Sequence, residues 1–567
     1  MTVHNSDEAT DDWWRHAVVY QIYPRSFQDS NGDGIGDLPG VIQRLDYLND
    51  GTENSLGVDA IWFSPTFPSP MKDFGYDVSD YTSVHPDFGT LADMDRLIAE
   101  CHTRGIRVLL DYVPNHTSDQ HLWFVESASS RDNPKRDWYF WRDPRPDGGL
   151  PNNWVSQFGG PGWTLDERTG QYYLHSFLPQ QPDLNWRNPE VVEAMHDVLR
   201  FWFDRGIDGF RIDVINMVMK HPDLADNPPN PRWHEGMTDR ARFLQVNNRN
   251  YPDVFDAVRG LRRVTDEYEG RMLVGEVYGR AEEVAGYYGG VGLDGLHLAF
   301  NFNLIVTESW RPAPWAADYI AGVIGHAEAT LAEGAQPCYA LGNHDQSRFI
   351  SRHNSDGQGD RRARMAALFL LALRATPFLY YGDEIGMIDA VITEAQLKDP
   401  ARFASGRSRD PERTPMQWDD SAGRGFTSGE PWLPFGPDEI SVANQGSATS
   451  LLTLYRRAIH LRKRLPALHS GSFHERPSSE FVYSFERQGP DSSRVLFAMN
   501  TSDSEQRIFT PANYSEVLIA SDQSLENLDA LLVGAGPAKG DREHCELRLP
   551  SLSAVWLGTN DMSWRLG

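Results

Sequence analysis

Apolar residues in this chain fall into short runs separated by stretches of helical period. Eight runs read as buried strands: "VVYQIYP" (18–24), "VDAIWFSP" (58–65), "VLLDYVPNH" (108–116), "IDGFRIDV" (207–214), "MLVGEVY" (272–278), "GLHLAFN" (295–301), "CYALGNHD" (338–345) and "PFLYYGDE" (377–384). One intervening stretch, "NPEVVEAMHDVLRFWFDRG" (188–206), carries Asn188 as cap, Pro189 in the first turn and Gly206 as the stop, with Val191, Met195, Val198 and Trp202 on one face. Strands alternating with such helices predict βα units, and eight of them predict an α/β fold, a (β/α)8 TIM barrel. The most apolar run, 365–382, is broken by Arg374 and Pro377, so it reads as a buried helix followed by a strand and not as a membrane span.

The pattern changes twice. Between the third strand and the helix at 189 lie about seventy residues rich in aromatics, glycine and proline, too long for a βα loop, which predicts an inserted subdomain over the barrel mouth. After about residue 465, runs such as "EFVYSFER" (480–487) and "SRVLFAMN" (493–500) alternate with turns and predict a carboxyl-terminal antiparallel β-sandwich. The expected division is a barrel over 1–116 and 181–465, an insertion over 117–180 and a β domain over 466–567. No repeat of 20–50 residues and no low-complexity linker is evident.

Polar residues sit where a barrel keeps its chemistry, at the carboxyl ends of strands. Asp111, Asn115 and His116 end the third strand, Arg211 and Asp213 the fourth, Glu276 the fifth, and Asn343, His344 and Asp345 the seventh. Carboxylates gathered at one dry mouth repel each other unless paired, so their convergence calls for a purpose. Arg211 and Asp213 flank Ile212 and share a face of the strand because side chains alternate with period two. The guanidinium is therefore expected to keep Asp213 ionised.

Composition narrows the classes. With 567 residues, 40% hydrophobic and 11% aromatic, the chain can bury a large core. A formal charge of -27 disfavours nucleic acid and anionic membranes as partners. Cys101, Cys338 and Cys545 lie far apart with no CxxC pair, which fits reduced buried thiols. The acidic start "MTVHNSDEATDD" has no apolar signal core, and a cytoplasmic location is expected. Nothing in the sequence bears on oligomeric state.

The set "DYVPNH", "GFRIDV", "GEVY" and "NHD" on strands three, four, five and seven closely resembles the α-amylase family, glycoside hydrolase family 13. With "YQIYPRSFQDSNGDGIGDLPG", "QPDLNW" and "RTPMQWD" the likeness narrows to its α-glucosidase and oligo-1,6-glucosidase branch and covers nearly the whole chain. The resemblance implies Asp213 as nucleophile, Glu276 as general acid/base and Asp345 as a third carboxylate holding the sugar hydroxyls. A retaining glycosidase needs one ionised and one protonated carboxyl about 5–5.5 Å apart. The likeness further implies that His116 and His344 bond sugar hydroxyls, and that Asp73 and Tyr76 of "DFGY" close the blind end of the pocket. Arg409 completes it by analogy, with Arg407 and Arg413 as close competitors.

"DSNGDGIGD" (29–37) offers oxygens at Asp29, Asn31, Asp33, the Ile35 carbonyl and Asp37, but Gly40 stands where an EF-hand needs glutamate. It resembles the structural Ca2+ loop of the branch; no organic cofactor is expected. Val214, after the nucleophile, resembles enzymes favouring α-1,6 bonds, whereas threonine there accompanies α-1,4 preference; such a contact is worth about 1–3 kcal/mol. The implied function is a retaining, exo-acting α-glucosidase on short oligosaccharides. An α-glucosyltransferase or isomerase of trehalose synthase type is the alternative, although the "RLDRD"-type segment of sucrose isomerases is not evident. Transporter heavy chains, the non-catalytic relatives, lack parts of the carboxylate set that is present here.

Overall fold

A computed structural model describes residues 12–400, 402, 406–511, 513–527, 531–533 and 544–559. The reading of the amino-terminal segment falls almost wholly on residues 1–11, outside the described residues. Eight parallel strands follow one another in chain order around a single sheet: β1 (Val19–Ile22), β2 (Ala60–Phe63), β3 (Arg107–Tyr112), β4 (Gly209–Ile212), β5 (Met272–Gly275), β6 (Leu298–Ala299), β7 (Cys338–Ala340) and β8 (Thr376–Tyr380). β1 pairs with both β2 and β8, and a parallel bridge between Phe300 and Cys338 joins β6 to β7, closing the barrel.

All eight expected strands are present, but most stop short of the run that announced them. The run 295–301 shrinks to the two residues of β6, and 108–116 ends at Tyr112. At the carboxyl ends the chain leaves the sheet to bring its polar residues over the mouth.

The period-two alternation sorts the strand residues into two cores. Ala60, Trp62, Leu109, Met272, Val274 and Phe378 pack inside the barrel, while Ile61, Phe63, Leu110, Phe210, Ile212 and Leu273 face the helices. The lower layers leave no room: a Cβ at Gly209 would lie 2.5 Å from the Met272 carbonyl oxygen. Arg211 stands one layer higher, in register with Asp111 on β3 and Val274 on β5.

The helix foreseen at 188 is α1 (Pro189–Asp204). Asn188 caps it by accepting from the Glu190 N–H at 2.9 Å, and Gly206 takes φ +98 just beyond its end. Val191, Met195 and Trp202 are fully buried, each contributing about 1.5–3 kcal/mol relative to exposure.

Inside 117–180 a three-stranded antiparallel sheet (Trp141–Arg142, Gln171–Leu174, Trp163–Asp166) packs Phe140, Trp154, Trp163 and Leu174 around Leu224. Leu224 belongs to a segment that the sequence reading missed, the forty residues 214–253 between β4 and the next long helix, Val254–Thr265. Asn152 donates to the Leu224 carbonyl at 2.8 Å and Arg145 pairs with Asp226 at 3.0 Å, so insertion and segment form one continuous rim. Toward the carboxyl terminus a five-stranded and a three-stranded antiparallel sheet enclose a core of Val482, Leu496, Leu547, Leu549, Val555 and Leu557. Trp556 ties this unit to the barrel through the Leu368 carbonyl, 3.1 Å away. The three cysteines are buried and free, and among the described residues no helix is long and apolar enough to cross a membrane.

Candidate active site

Two guanidinium-centred clusters meet at the barrel mouth. In the first, Arg211 Nη1 lies 2.9 Å from Asp111 Oδ1 and 2.8 Å from Asp213 Oδ1, while its Nη2 lies 2.7 Å from Glu276 Oε2. Asp111 also accepts from Tyr76 Oη at 2.9 Å and from the Trp62 indole at 3.3 Å. Backbone bonds fix the two strand ends: the Asp213 N–H donates to the Tyr112 carbonyl and the Glu276 N–H to the Ile212 carbonyl. Val214 then turns the chain with φ +35, a conformation a β-branched residue rarely adopts, and its N–H donates to Glu276 Oε2 at 3.0 Å.

In the second cluster Arg409 spans three carboxylates: Asp73 at 2.6 Å, Asp345 at 3.1 Å and Asp399 at 2.9 Å. Arg413 adds a contact to Asp345 at 3.0 Å and donates to the His344 carbonyl at 2.7 Å. Of the three arginines in contention, Arg409 and Arg413 both reach the pocket, flanking the tight turn Asp410–Arg413, whereas Arg407 pairs with Glu412.

The aromatic and imidazole groups join the two clusters. The rings of Tyr76 and His344 stack at 5.4 Å with an interplanar angle of 2°, and Tyr76 Oη lies 2.8 Å from His344 Nε2. His344 Nδ1 meets Gln21 Nε2 at 2.7 Å. His116 Nε2 is 3.1 Å from Gln181 Nε2, which also donates to Asp73 Oδ2 at 3.1 Å. Gln181 is therefore a pocket residue beyond those singled out from the sequence, with "QPDLNW" as its visible sign, and Arg413, named there only as a competitor of Arg409, joins it. Asp183 of the same motif is buried against Lys220 at 2.8 Å and pins the rim to the mouth. From the insertion, Phe177 packs on His116 at 5.1 Å and on Phe158, whose ring lies 5.6 Å from the Arg409 guanidinium.

Electrostatics follow from crowding. Six carboxylates share three guanidiniums in a site where Asp111 and Arg211 are 1% exposed. Burial raises Asp111 to about 7 despite Arg211. Burial and the Glu276 charge likewise push Asp213 well above the ordinary carboxylate range. Arg211, expected to keep Asp213 ionised, does pair with it, but one cation divided among three buried carboxylates lowers Asp213 by less than burial and the Glu276 charge raise it. Burial also acts on Asp345, but His344, Arg409 and Arg413 outweigh it and hold its carboxyl well below the usual range. Because burial lowers His344 to about 3, its ring is neutral at pH 7 and the two arginines carry that effect. Burial lowers His116 to about 4, leaving it neutral as well.

This arrangement can present one carboxylate to a carbon centre and a second, able to carry a proton, to a departing oxygen. A family model for the catalytic domain of alpha amylase matches residues 21–471. The chain belongs to the α-amylase family of glycoside hydrolases. It is 41% identical over 561 residues to a probable α-glucosidase of Rhizobium meliloti (strain 1021), covering 96% of this chain and 97% of that one. An oligo-1,6-glucosidase of Heyndrickxia coagulans is 38% identical, over 92% and 95% of the two chains. Among solved structures, an α-glucosyl transfer enzyme superposes with a TM-score of 0.85 at 40% identity, over 97% of this chain and 100% of the other.

Away from the mouth, the 29–37 loop folds through successive Asx turns. Asp29 accepts from the N–H groups of Asn31, Gly32 and Gly34, Asn31 from Asp33, and Asp33 from Ile35. Asp37 caps the helix Leu38–Gln43 through the Gly40 N–H at 2.6 Å. Both Asp29 oxygens and Asp37 Oδ2 accept two bonds each, Thr427 and Ser30 supplying the remaining donors, whereas Asn31 Oδ1 and the Asp33 carboxylate each accept from one N–H and keep lone pairs that suit a hard cation taking oxygen ligands. Among the described residues no group of three or more His, Cys, Asp or Glu is gathered to hold a metal; the loop's set draws on Asn31 and the Ile35 carbonyl instead.

Proposed function

We propose that the protein is a retaining, exo-acting α-glucosidase that removes terminal non-reducing α-linked glucose from disaccharides and short oligosaccharides through a covalent glucosyl-enzyme. The observation that carries this reading is the shared guanidinium: Asp213 and Glu276 ion-pair with the two ends of Arg211, which favours the short carboxyl spacing of a retaining mechanism. Asp213 Oδ attacks the anomeric carbon as Glu276 gives its proton to the glycosidic oxygen, and the aglycone leaves as an alcohol. Glu276 then takes a proton from water, whose oxygen displaces Asp213 and releases glucose. Asp345, held ionised between Arg409 and Arg413, can bind the hydroxyls of the distorted sugar. Asp73, Tyr76, His116 and Gln181 support a closed end that admits one glucose, hence weak action on starch.

In proton NMR of the reaction, the α-anomer of glucose is expected first, the β-anomer appearing only by mutarotation; β-glucose first would sink the retaining mechanism. Faster release from isomaltose than from maltose is the outcome expected of Val214. The 40% identity to an α-glucosyl transfer enzyme supports a second fate for the glucosyl-enzyme, capture by a sugar hydroxyl. New disaccharides preceding free glucose in a product time course make transfer the main activity.

We also propose the division into barrel, insertion and carboxyl-terminal β domain, a cytoplasmic location supported by the free buried thiols, and structural Ca2+ at 29–37. Excess EGTA is expected to lower Tm by several degrees, with Ca2+ restoring it at millimolar or lower concentration. A Tm indifferent to both would remove the ion from the loop.

A further inference from the structure

Two residues beyond Glu276 the chain enters an aromatic and cationic cluster. Tyr278 stacks on Phe302 at 4.6 Å and lies 4.9 Å from Trp310, whose side of the rim is open, with 44% of Trp310 exposed. Two guanidiniums approach that same indole, Arg240 at 4.7 Å and Arg249 at 5.9 Å. Arg240 donates to Gln157 Oε1 at 2.7 Å, next to Phe158 over Arg409, and Arg249 donates to the Tyr278 carbonyl. Both arginines therefore sit about Trp310 and Tyr278, the latter two residues along the chain from Glu276, the side on which a leaving group protonated by Glu276 would depart.

Neither forms an ion pair among the described residues, in a chain with 80 acidic against 53 basic side chains. Burial lowers Arg249, and the charges of Glu283 and Glu276 act on it from beyond ion-pair distance. Other arginines without carboxylate partners are satisfied differently: Arg462 and Arg487 each donate to three backbone carbonyls. Arg240 and Arg249 each spend one bond on the protein and keep the remaining donors of a five-donor fork. Burial above all, and then the neighbouring Arg249, lower Arg240 to about 10, in keeping with a guanidinium held without a carboxylate partner.

We infer that the subsite beyond the scissile bond takes an anionic aglycone, a phosphate or carboxylate carried by the leaving sugar or polyol and gripped between Arg240 and Arg249 while its carbon frame lies on Trp310. The inference rests on the glucosidase reading. Guanidinium forks bind both anions bidentately, and an indole face accepts a sugar or short polyol.

The test compares kcat/KM within two matched pairs, trehalose 6-phosphate against trehalose and 2-O-α-glucosylglycerate against 2-O-α-glucosylglycerol. A preference of at least about tenfold for the charged member, weakening as salt rises, is expected in one pair, and the pair that shows it tells phosphate from carboxylate. In the R240Q/R249Q double variant the preference is expected to fall to near one. R240K and R249K, which keep the charge, retain part of it and guard against a folding defect. A ratio near one in the wild type for both pairs, or one that survives the double variant, overturns the inference while leaving the glucosidase reading intact. Failure to hydrolyse any α-glucoside sinks both.

Discussion

Replacing Asp213 by Asn lowers kcat on a chromogenic α-glucoside by about 10^4–10^6-fold, the range seen when a nucleophile is removed from a working set, and leaves Tm at or above the wild-type value. The two halves of that expectation have one cause. An amide at this position keeps an oxygen to accept from Arg211 Nη1, now 2.8 Å from Asp213 Oδ1, so the guanidinium stays anchored. It cannot form the glycosyl ester. It also removes one of the buried carboxylates that crowd Arg211, and with it the burial penalty and the Glu276 repulsion that drive Asp213 above the ordinary range. Steady-state kinetics and a thermal melt on the same sample check both halves. Turnover within tenfold of wild type would falsify the nucleophile assignment, and a collapse in Tm would show Asp213 to be structural.

How much of this was legible beforehand depends on what each residue needed from its neighbours. The eight strands could be read because a parallel barrel buries both faces, turning each strand into a short apolar run with turn residues after it. Their ends could not, because the same runs continue through residues that leave the sheet for the mouth. Asp213, Glu276 and Asp345 stood out as charges ending apolar runs. Arg413 did not, because "SRDPER" offers arginines at 409 and 413 with nothing in the sequence to aim either, and the tight turn at 410–413 decides. The segment 214–253 escaped because its prolines, asparagines and charges have no period; it holds its shape by side-chain bonds to the insertion, such as Asn153 to the Asn227 carbonyl at 2.8 Å. The effect of burial on Arg211 was hidden for a related reason. Sequence places it next to Asp213, but only the register of β3 with β4 reveals Asp111 as a further claimant on the same charge.

That sharing sets the largest stability effect. Arg211→Met leaves Asp111, Asp213 and Glu276 buried with no counter-ion, and unpairing a buried charge typically costs about 3–5 kcal/mol. The size should depend on pH, and the sign can be worked out. Asp111 and Asp213 already bind protons more tightly folded than unfolded, Asp111 at about 7 against an unfolded value of about 3.9. A carboxyl raised in this way adds stability at low pH and loses it as pH climbs through the folded value. Removing the guanidinium raises both further, so the variant approaches wild type as pH falls below the folded values of Asp111 and Asp213, and falls away toward pH 8. Asp345 works in the opposite direction, since its depressed folded value withdraws stability only on strong acidification, and it belongs to the arginine pair that the substitution leaves in place. Urea melts of wild type and variant at pH 5, 6.5 and 8 should therefore diverge with pH. A gap of constant size would mean that packing around the side chain, and not the balance of charge about it, is what Arg211 contributes.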